Sequence, residues 1–432
     1  MQTNKNQQSQ LIACEECGLV SELPILQEGQ AGKCPRCMHT LSSVSIQPCQ
    51  RMIAYSSACL VMLIISLSFP FMSFSVKGLT QEIYLINTVA MLEAFEQSAL
   101  ALLLLFTVIV LPAIYLVAMS CLYFRIWRKN TIVKTIQPSS KLIMICKWLF
   151  KVEPWLMTDV FLIGVLISLI KISAMAEIGM GNSFWAFCVY TMLVVKTISL
   201  VDRFWIWNQL APVAPIEGVV AGQDHLSGHH IGCDSCHQIN KVSGVKKQRC
   251  LRCGSVLKPY DLDLSLQKSW AYLFAAIIFY FPANLYPIMY TVSLGSEAPS
   301  TIMGGVILLW QLGSYPIALV IFIASVLIPM AKMIALAWMY WNAKRGHSLL
   351  YAQSIKRQKL YRLTEFIGRW SMIDIFVVAI LVALVQLQNL MAITPGPASL
   401  SFAAVVILTM LSAISFDSRS IWSNGSALKE FK

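Results

Sequence analysis

Residues 375–416 read IFVVAILVALVQLQNLMAITPGPASLSFAAVVILTMLSAISF, a run without one charged side chain. As a single helix it would be about 63 Å long at 1.5 Å per residue, twice the ~30 Å hydrocarbon core of a bilayer. Pro395-Gly396-Pro397 interrupts it and divides it into two crossings. The rest of the chain repeats the pattern. No charge falls between Glu96 and Arg125, between Lys268 and Glu297, or between Glu297 and Lys332. With 57% hydrophobic and 12% charged residues over 432 positions, against about 25% charge in soluble domains, the chain is expected to be an all-α polytopic membrane protein. Eight apolar segments emerge, at 52–74, 98–124, 155–176, 183–201, 269–294, 315–341, 370–393 and 399–416. Two weaker stretches, 82–97 and 300–314, suit re-entrant or interfacial helices.

The first 50 residues are polar and punctuated by cysteine, so the first apolar segment is expected to act as an uncleaved anchor. Orientation follows from the loops. Arg125, Arg128, Lys129, Lys134, Lys141, Lys147 and Lys151 separate the second and third segments, and Lys344, Arg345, Lys356, Arg357, Lys359 and Arg362 the sixth and seventh. Cytoplasmic loops collect such residues, so both termini and the central segment are expected in the cytoplasm. The net charge of +12 then reads as a surface for anionic headgroups rather than for nucleic acid.

The chain is also written twice. Cys14-Glu-Glu-Cys17 recurs as Cys233-Asp-Ser-Cys236, and Cys34-Pro-Arg-Cys37 as Cys250-Leu-Arg-Cys253. Phe69-Pro70 recurs as Phe281-Pro282, Leu111-Pro112 as Ile328-Pro329, and Trp155-Leu-Met-Thr-Asp159 as Trp370-Ser-Met-Ile-Asp374. Asp202 and Asp417 each stand five residues before a tryptophan. All six offsets lie between 212 and 219 residues. Unchanged order at near-constant spacing predicts two parallel copies of one cytoplasmic cysteine domain plus four spans. The expected boundaries are 1–50 and 209–265 for the cysteine domains, 51–208 and 266–424 for the membrane modules, and 425–432 for a tail.

Paired Cys-x-x-Cys motifs on the reducing side of a membrane suit metal better than disulfides. Gaps of 16 and 13 residues separate the pairs. Cys14, Cys17, Cys34 and Cys37 can close one tetrahedral zinc site, and Cys233, Cys236, Cys250 and Cys253 a second. With all four positions filled by protein, both ions would be structural and would supply folding free energy to small domains. Redox dithiols are a rival, as is haem attachment at Cys233-x-x-Cys236-His237; Gly18 stands in the first copy where His237 stands in the second. Cys49, Cys59, Cys121, Cys146 and Cys188 read as small buried apolar residues.

Charges inside apolar helices are costly unless paired or facing a cavity. Asp159, Lys171, Lys196, Lys332 and Asp374 are the cases here. Lys332 and Asp374 are placed for an ion pair between neighbouring helices. Ser325 shares the face of Lys332, Ser371 precedes Asp374 by one turn, and Thr409 lies in the last segment. These hydroxyls either line a polar pocket or proton path or hold helices together. The position matching Lys332 in the first copy is Tyr115, which points to the second copy as the working one. Pro70, Pro112, Pro282, Pro287 and Pro329, with Asn284 between two of them, predict kinked helices. No nucleotide-binding loop, H-E-x-x-H or G-x-S-x-G occurs, so no ATP-driven or enzymatic activity is expected.

The two four-cysteine ribbons combine with Phe281-Pro-Ala-Asn284, Gly313-Ser-Tyr-Pro316, Phe322-Ile-Ala-Ser325, Gly368-Arg-Trp-Ser-Met-Ile-Asp374 and Phe416-Asp417. From residue 11 to residue 422 this combination resembles the paraquat-inducible protein A family. Ile307-Leu-Leu-Trp310 and Met330-Ala-Lys-Met-Ile-Ala335 bring it closer to the PqiA branch than to the LetA branch. The resemblance implies an inner-membrane component of a Gram-negative intermembrane lipid transport system. Its partners would be a periplasmic MCE-domain tunnel protein (PqiB- or LetB-like), membrane phospholipids and an outer-membrane lipoprotein (PqiC-like). It also implies two zinc ions on the eight cysteines and a transport pocket at Ser325, Lys332, Ser371, Asp374 and Thr409. Asp159, Lys171 and Asn284 are secondary candidates. A zinc- or thiol-responsive membrane sensor and a non-transporting anchor for the periplasmic partner are the alternative readings.

Overall fold

The computed structural model describes residues 10–76, 79–87, 98–132, 140–173, 177–211, 213, 216, 218–243, 248–293, 296–311, 313, 315–344, 351–384, 386–387 and 391–422. The chain opens with two hairpins, β1 (Gln10–Ala13) with β2 (Val20–Leu23) and β3 (Ala31–Lys33) with β4 (Thr40–Ser43). Helix α1 (Pro48–Ser68) follows, with proline in its first turn where no donor is lost. The chain then turns back in a further hairpin, β5 (Met72–Val76) and β6 (Leu79–Ile83). Next come α2 (Ser98–Leu104), a π-helical stretch Leu105–Val110, α3 (Leu111–Ile132) and α4 (Ser140–Val152). Helix α5 (Thr158–Ser173), strand β7 (Glu177–Met180) and helix α6 (Asn182–Ser199) complete this half, with α7 (Arg203–Leu210) bent 62° away from α6.

The second half begins with β8 (His230–Gly232) and β9 (Ile239–Lys241). Helix α8 (Leu262–Leu285) leads into β10 (Met289–Ser293) and β11 (Ser296–Ser300). Then follow α9 (Ile302–Gln311), α10 (Tyr315–Phe322), a π-helical stretch Ile323–Leu327, α11 (Ile328–Lys344), α12 (Tyr351–Trp370) and α13 (Ile373–Leu384). Strands β12 (Gln386–Leu387) and β13 (Met391–Pro395) precede α14 (Pro397–Ser415).

Among the described residues, six helical stretches are long and apolar enough to cross a membrane, seven if α6 and α7 form one bent span, so the chain is a multi-pass membrane protein. Helix α13, the seventh expected span, is described over 12 residues, about 18 Å. The 300–314 stretch forms the short helix α9 as expected. The 82–97 stretch begins in β6, and its residues 88–97 lie outside the described ones. The all-α expectation needs a correction: the apolar runs at 52–74, 269–294 and 370–393 leave their helices early, and a strand, β7, follows the 155–176 run. Pro70 and Pro287 cannot continue a helix, and beyond them β5 and β10 alternate in the two-residue period of a strand. The result is two antiparallel sheets, β6-β5-β7 and β11-β10-β13-β12, at the end of the bundle away from the cysteine hairpins.

Two glycines let each sheet meet its helices. Gly181 and Gly396 precede α6 and α14, and a Cβ on either would overlap the carbonyl of Pro70 or Pro287. The internal prolines Pro112 and Pro329 each follow a π-helical stretch. A proline leaves the carbonyl four residues back without its donor, and a local widening of the helix accommodates the gap. The helix therefore runs on through each of these two prolines.

In the first half α1 packs on α3 and α6, and in the second α8 packs along α14. The halves meet at α5 and α13. Phe161 stands edge-on to Phe376 at 5.6 Å, Ser168 donates to the Val377 carbonyl at 3.4 Å, and a Cβ at Gly164 would lie 3.0 Å from Phe376. Small residues allow this close approach without a hydrophobic driving force in lipid.

Candidate functional site

Four knuckles carry the eight paired cysteines, and all four are built alike. The residue after each second cysteine is left-handed: Gly18 at φ 70°, Met38 at 58°, His237 at 58° and Gly254 at 69°. Each returns its N–H to the carbonyl of the first cysteine, at 2.9 Å for Gly18, 3.0 Å for Met38, 2.9 Å for His237 and 2.9 Å for Gly254. The turn aims both thiols of a pair to one side. Facing pairs close to 3.5 Å at Cys14–Cys37 and Cys17–Cys34, 3.6 Å at Cys233–Cys253 and 3.5 Å at Cys236–Cys250. Four sulfurs around a tetrahedral Zn²⁺ at ~2.3 Å would stand about 3.8 Å apart. In each cluster all sulfurs lie within 4.8 Å of one another and every cysteine is buried.

The electrostatics are compatible with a cation. Cys14 pushes the Cys17 thiol up, and Cys233 does the same to Cys236. Hydrogen bonds from Cys14 pull Cys34 down, and those from Cys233 pull Cys253 down. Crowded thiols therefore share protons, and four thiolates coexist only around a positive ion. The two clusters are thus sites able to hold metal ions. Haem attachment fits poorly, because His237 occupies a knuckle turn and its Nδ1 lies 3.1 Å from Glu15 Oε1.

The ribbons dock on each other and on the membrane helices. Val20 N–H donates to Gln223 O at 2.8 Å and Gly222 N–H to Val20 O at 2.9 Å; Arg36 pairs with Asp224 at 3.5 Å. In the first ribbon Arg36 also donates to Cys17 O at 3.4 Å and lies over the Trp422 ring. In the second, Arg252 donates to Cys236 O at 2.9 Å, to Ala211 O at 2.8 Å and to Asn208 Oδ1 at 2.7 Å. The recurring Cys-x-Arg-Cys was the available signal for these arginines.

Lys332 is a buried charge of the bundle, 4% exposed. Its ammonium donates to Thr409 Oγ1 on α14 at 2.9 Å, and Thr409 in turn donates to the Val406 carbonyl at 2.9 Å. Gly368, near the end of α12, forms the opposite wall, where a Cβ would lie 3.2 Å from Lys332 Nζ. Sequence reasoning did not single out this glycine. Ser325 is buried in the π-helical stretch on the same helix, and Ser371 is buried with its hydroxyl donating to Ile367 O at 3.3 Å. The side chains of Asp374 and Lys171 lie outside the described residues. Asp159 is half-buried in the first turn of α5, and Asn284 donates to Tyr280 O at 2.9 Å within its own helix, a local role. Among the single cysteines, Cys49, Cys59 and Cys146 are buried and Cys188 half-buried, but Cys121 is exposed on α3.

The family model for paraquat-inducible protein A matches twice, at residues 49–211 and 266–425. Intermembrane transport protein PqiA of Escherichia coli K12 is 40% identical over 412 residues, covering 95% of both chains. A probable intermembrane transport protein of Haemophilus influenzae is 27% identical over 95% of both chains. Lipophilic envelope-spanning tunnel protein A of Escherichia coli K12 is 27% identical over 95% of this chain and 90% of its own. No solved structure matches. The chain, with its two cysteine clusters and its apolar helices, belongs to the paraquat-inducible protein A family.

Proposed function

We propose that this chain is the inner-membrane subunit of a Gram-negative intermembrane lipid transport system. It would pass phospholipid-like molecules between the inner membrane and a periplasmic MCE-domain tunnel protein, with an outer-membrane lipoprotein completing the path. Relatives named as intermembrane transport and envelope-spanning tunnel proteins support this. Both ribbons and both termini lie in the cytoplasm, each ribbon holding one structural zinc ion.

The membrane region is read as two parallel copies, 51–208 and 266–424, following the ribbons at 1–50 and 209–265, with a tail at 425–432. Three observations support that reading. The family model matches each half separately. Gly181 and Gly396, 215 residues apart, make the same close approach to Pro70 and Pro287. Phe161 and Phe376, also 215 apart, face each other where the halves meet, as equivalent residues beside a two-fold axis do.

The observation that carries the mechanism is the Lys332 ammonium, sealed inside an apolar bundle between Thr409 and Gly368. Intramembrane lysines are expensive and mark substrate or proton paths. In this reading Lys332 and Asp374 exchange charge state as lipid passes, with Ser325, Ser371 and Thr409 along the route. Lys332→Ala is expected to slow lipid transfer by about tenfold or more in the reconstituted complex, with assembly and metal content unchanged. Wild-type transfer by a normally assembled Lys332→Ala protein would refute the mechanism.

A further inference from the structure

The first ribbon precedes α1 in the chain, yet its metal-binding end is held by the second half. On α12, Tyr351 Oη donates to Arg36 O at 2.8 Å and Arg362 donates to Cys37 O at 2.9 Å. The Arg362 guanidinium also grips Glu16, with Nε at 3.0 Å from both carboxylate oxygens. Ser418 donates to Glu16 O at 3.1 Å. Arg36, Cys37 and Glu16 lie within the two knuckles, so the positions of these acceptors depend on the knuckles being closed. The opposite side of the same ribbon is tied to the first half. Ser42 and the backbone of Ser43 donate to Asp202, which caps α7 through the Trp205 N–H. Asn208 of α7 donates to Gln10 Oε1 at 2.9 Å. The second ribbon differs: Arg252 attaches it to Asn208 and Ala211, and its cysteines share a core with Cys146, Phe150 and Trp207 of the first half.

We propose that the first cysteine cluster is a metal-dependent clasp between the two halves, holding α12 while β4 of its ribbon is anchored on α7. Metal in the Cys14, Cys17, Cys34 and Cys37 site keeps the carbonyls of Arg36 and Cys37 aimed at Tyr351 and Arg362. Loss of that metal frees α12, whose Gly368 lies six residues, about 9 Å, beyond Arg362 and walls the Lys332 ammonium. The clasp thus relays the state of the cytoplasmic metal site to the buried lysine. That last link rests on the pocket reading above, whereas the docking itself does not.

The test is hydrogen exchange on the full-length protein in nanodiscs, with zinc content measured alongside. Cys34→Ser should lose one ion and raise exchange about tenfold or more in 351–370 and 418–422, the loss of a charge-assisted hydrogen bond, while 48–68 stays unchanged. Cys250→Ser should lose the other ion and raise exchange in 140–152 and 203–211, leaving 351–370 protected. Arg362→Gln should keep both ions and still loosen 351–370, which separates the clasp from general misfolding of a cysteine variant. Unchanged exchange in 351–370 after loss of the first ion would overturn the proposal, as would identical patterns for the two cysteine variants or an unaltered α12 in Arg362→Gln. Lipid transfer is read separately, so a silent Lys332→Ala variant removes the pocket reading and leaves the clasp standing.

Discussion

His225 lies where the two ribbons meet, packed on Gly18 so closely that a Cβ there would lie 2.8 Å from its Cγ. Its ring stands edge-on to Tyr260 at 4.6 Å. Neither ring nitrogen has a hydrogen-bond partner among the described residues. Burial therefore pushes its pKa down to about 4; Asp224 and Asp417 pull it up, and Arg419 and Arg36 add to the depression. The unfolded chain binds this proton more readily than the fold does. The stabilisation is complete above the unfolded value of 6.5 and fades as pH falls towards 4, by about 3 kcal/mol at most. His225→Phe keeps the packed ring and removes the proton site. The variant should lose less stability than wild type between pH 6.5 and 4.5 while matching it near pH 8; equal losses in both proteins, measured by thermal melting, would refute this account.

At the scale of elements, the sheet-to-helix corners are the tightest joints. Gly396→Ala would press a methyl group into the Pro287 carbonyl, and backbone cannot yield as a flexible side chain does. It should cost about 2–4 kcal/mol, read as a lower melting temperature, and Gly181→Ala should behave alike; a neutral effect at either would contradict the close approach. These corners also mark how far the sequence could be read. Long helices were legible because an apolar run of about 20 residues without a charge matches the length a bilayer crossing needs and exceeds what a strand or a soluble core helix uses. Their ends were not, since Met72–Val76 and Met289–Ser293 continue the uncharged runs of the helices they follow and are too short for their alternation to fix a strand without its pairing partners. The cysteine clusters were legible from spacing alone. Gly368 and Arg362 were not, because each acts on a residue far away in the chain, Lys332 and Glu16 respectively.

At the scale of the whole molecule, both ribbons sit at one end of the bundle and both sheets at the other. The basic residues Arg125, Arg128, Lys356 and Lys359 are not on the sheet side: the first two lie in the last turns of α3 and the other two on α12, which the first ribbon grips. A bilayer around the apolar belt would therefore separate ribbons from sheets, and in the proposed topology the basic residues keep the ribbons on the cytoplasmic side. Two exposed positions sample the two ends, Glu22 in β2 and Ala298 in β11. A membrane-impermeant maleimide applied to intact spheroplasts should label Ala298→Cys and leave Glu22→Cys unlabelled until the membrane is opened. Labelling of Glu22→Cys from outside would invert the molecule. The metal sites would then face an oxidising compartment, where paired cysteines tend to disulfides, and a zinc-held clasp reporting on the cytoplasm would have no place in the fold.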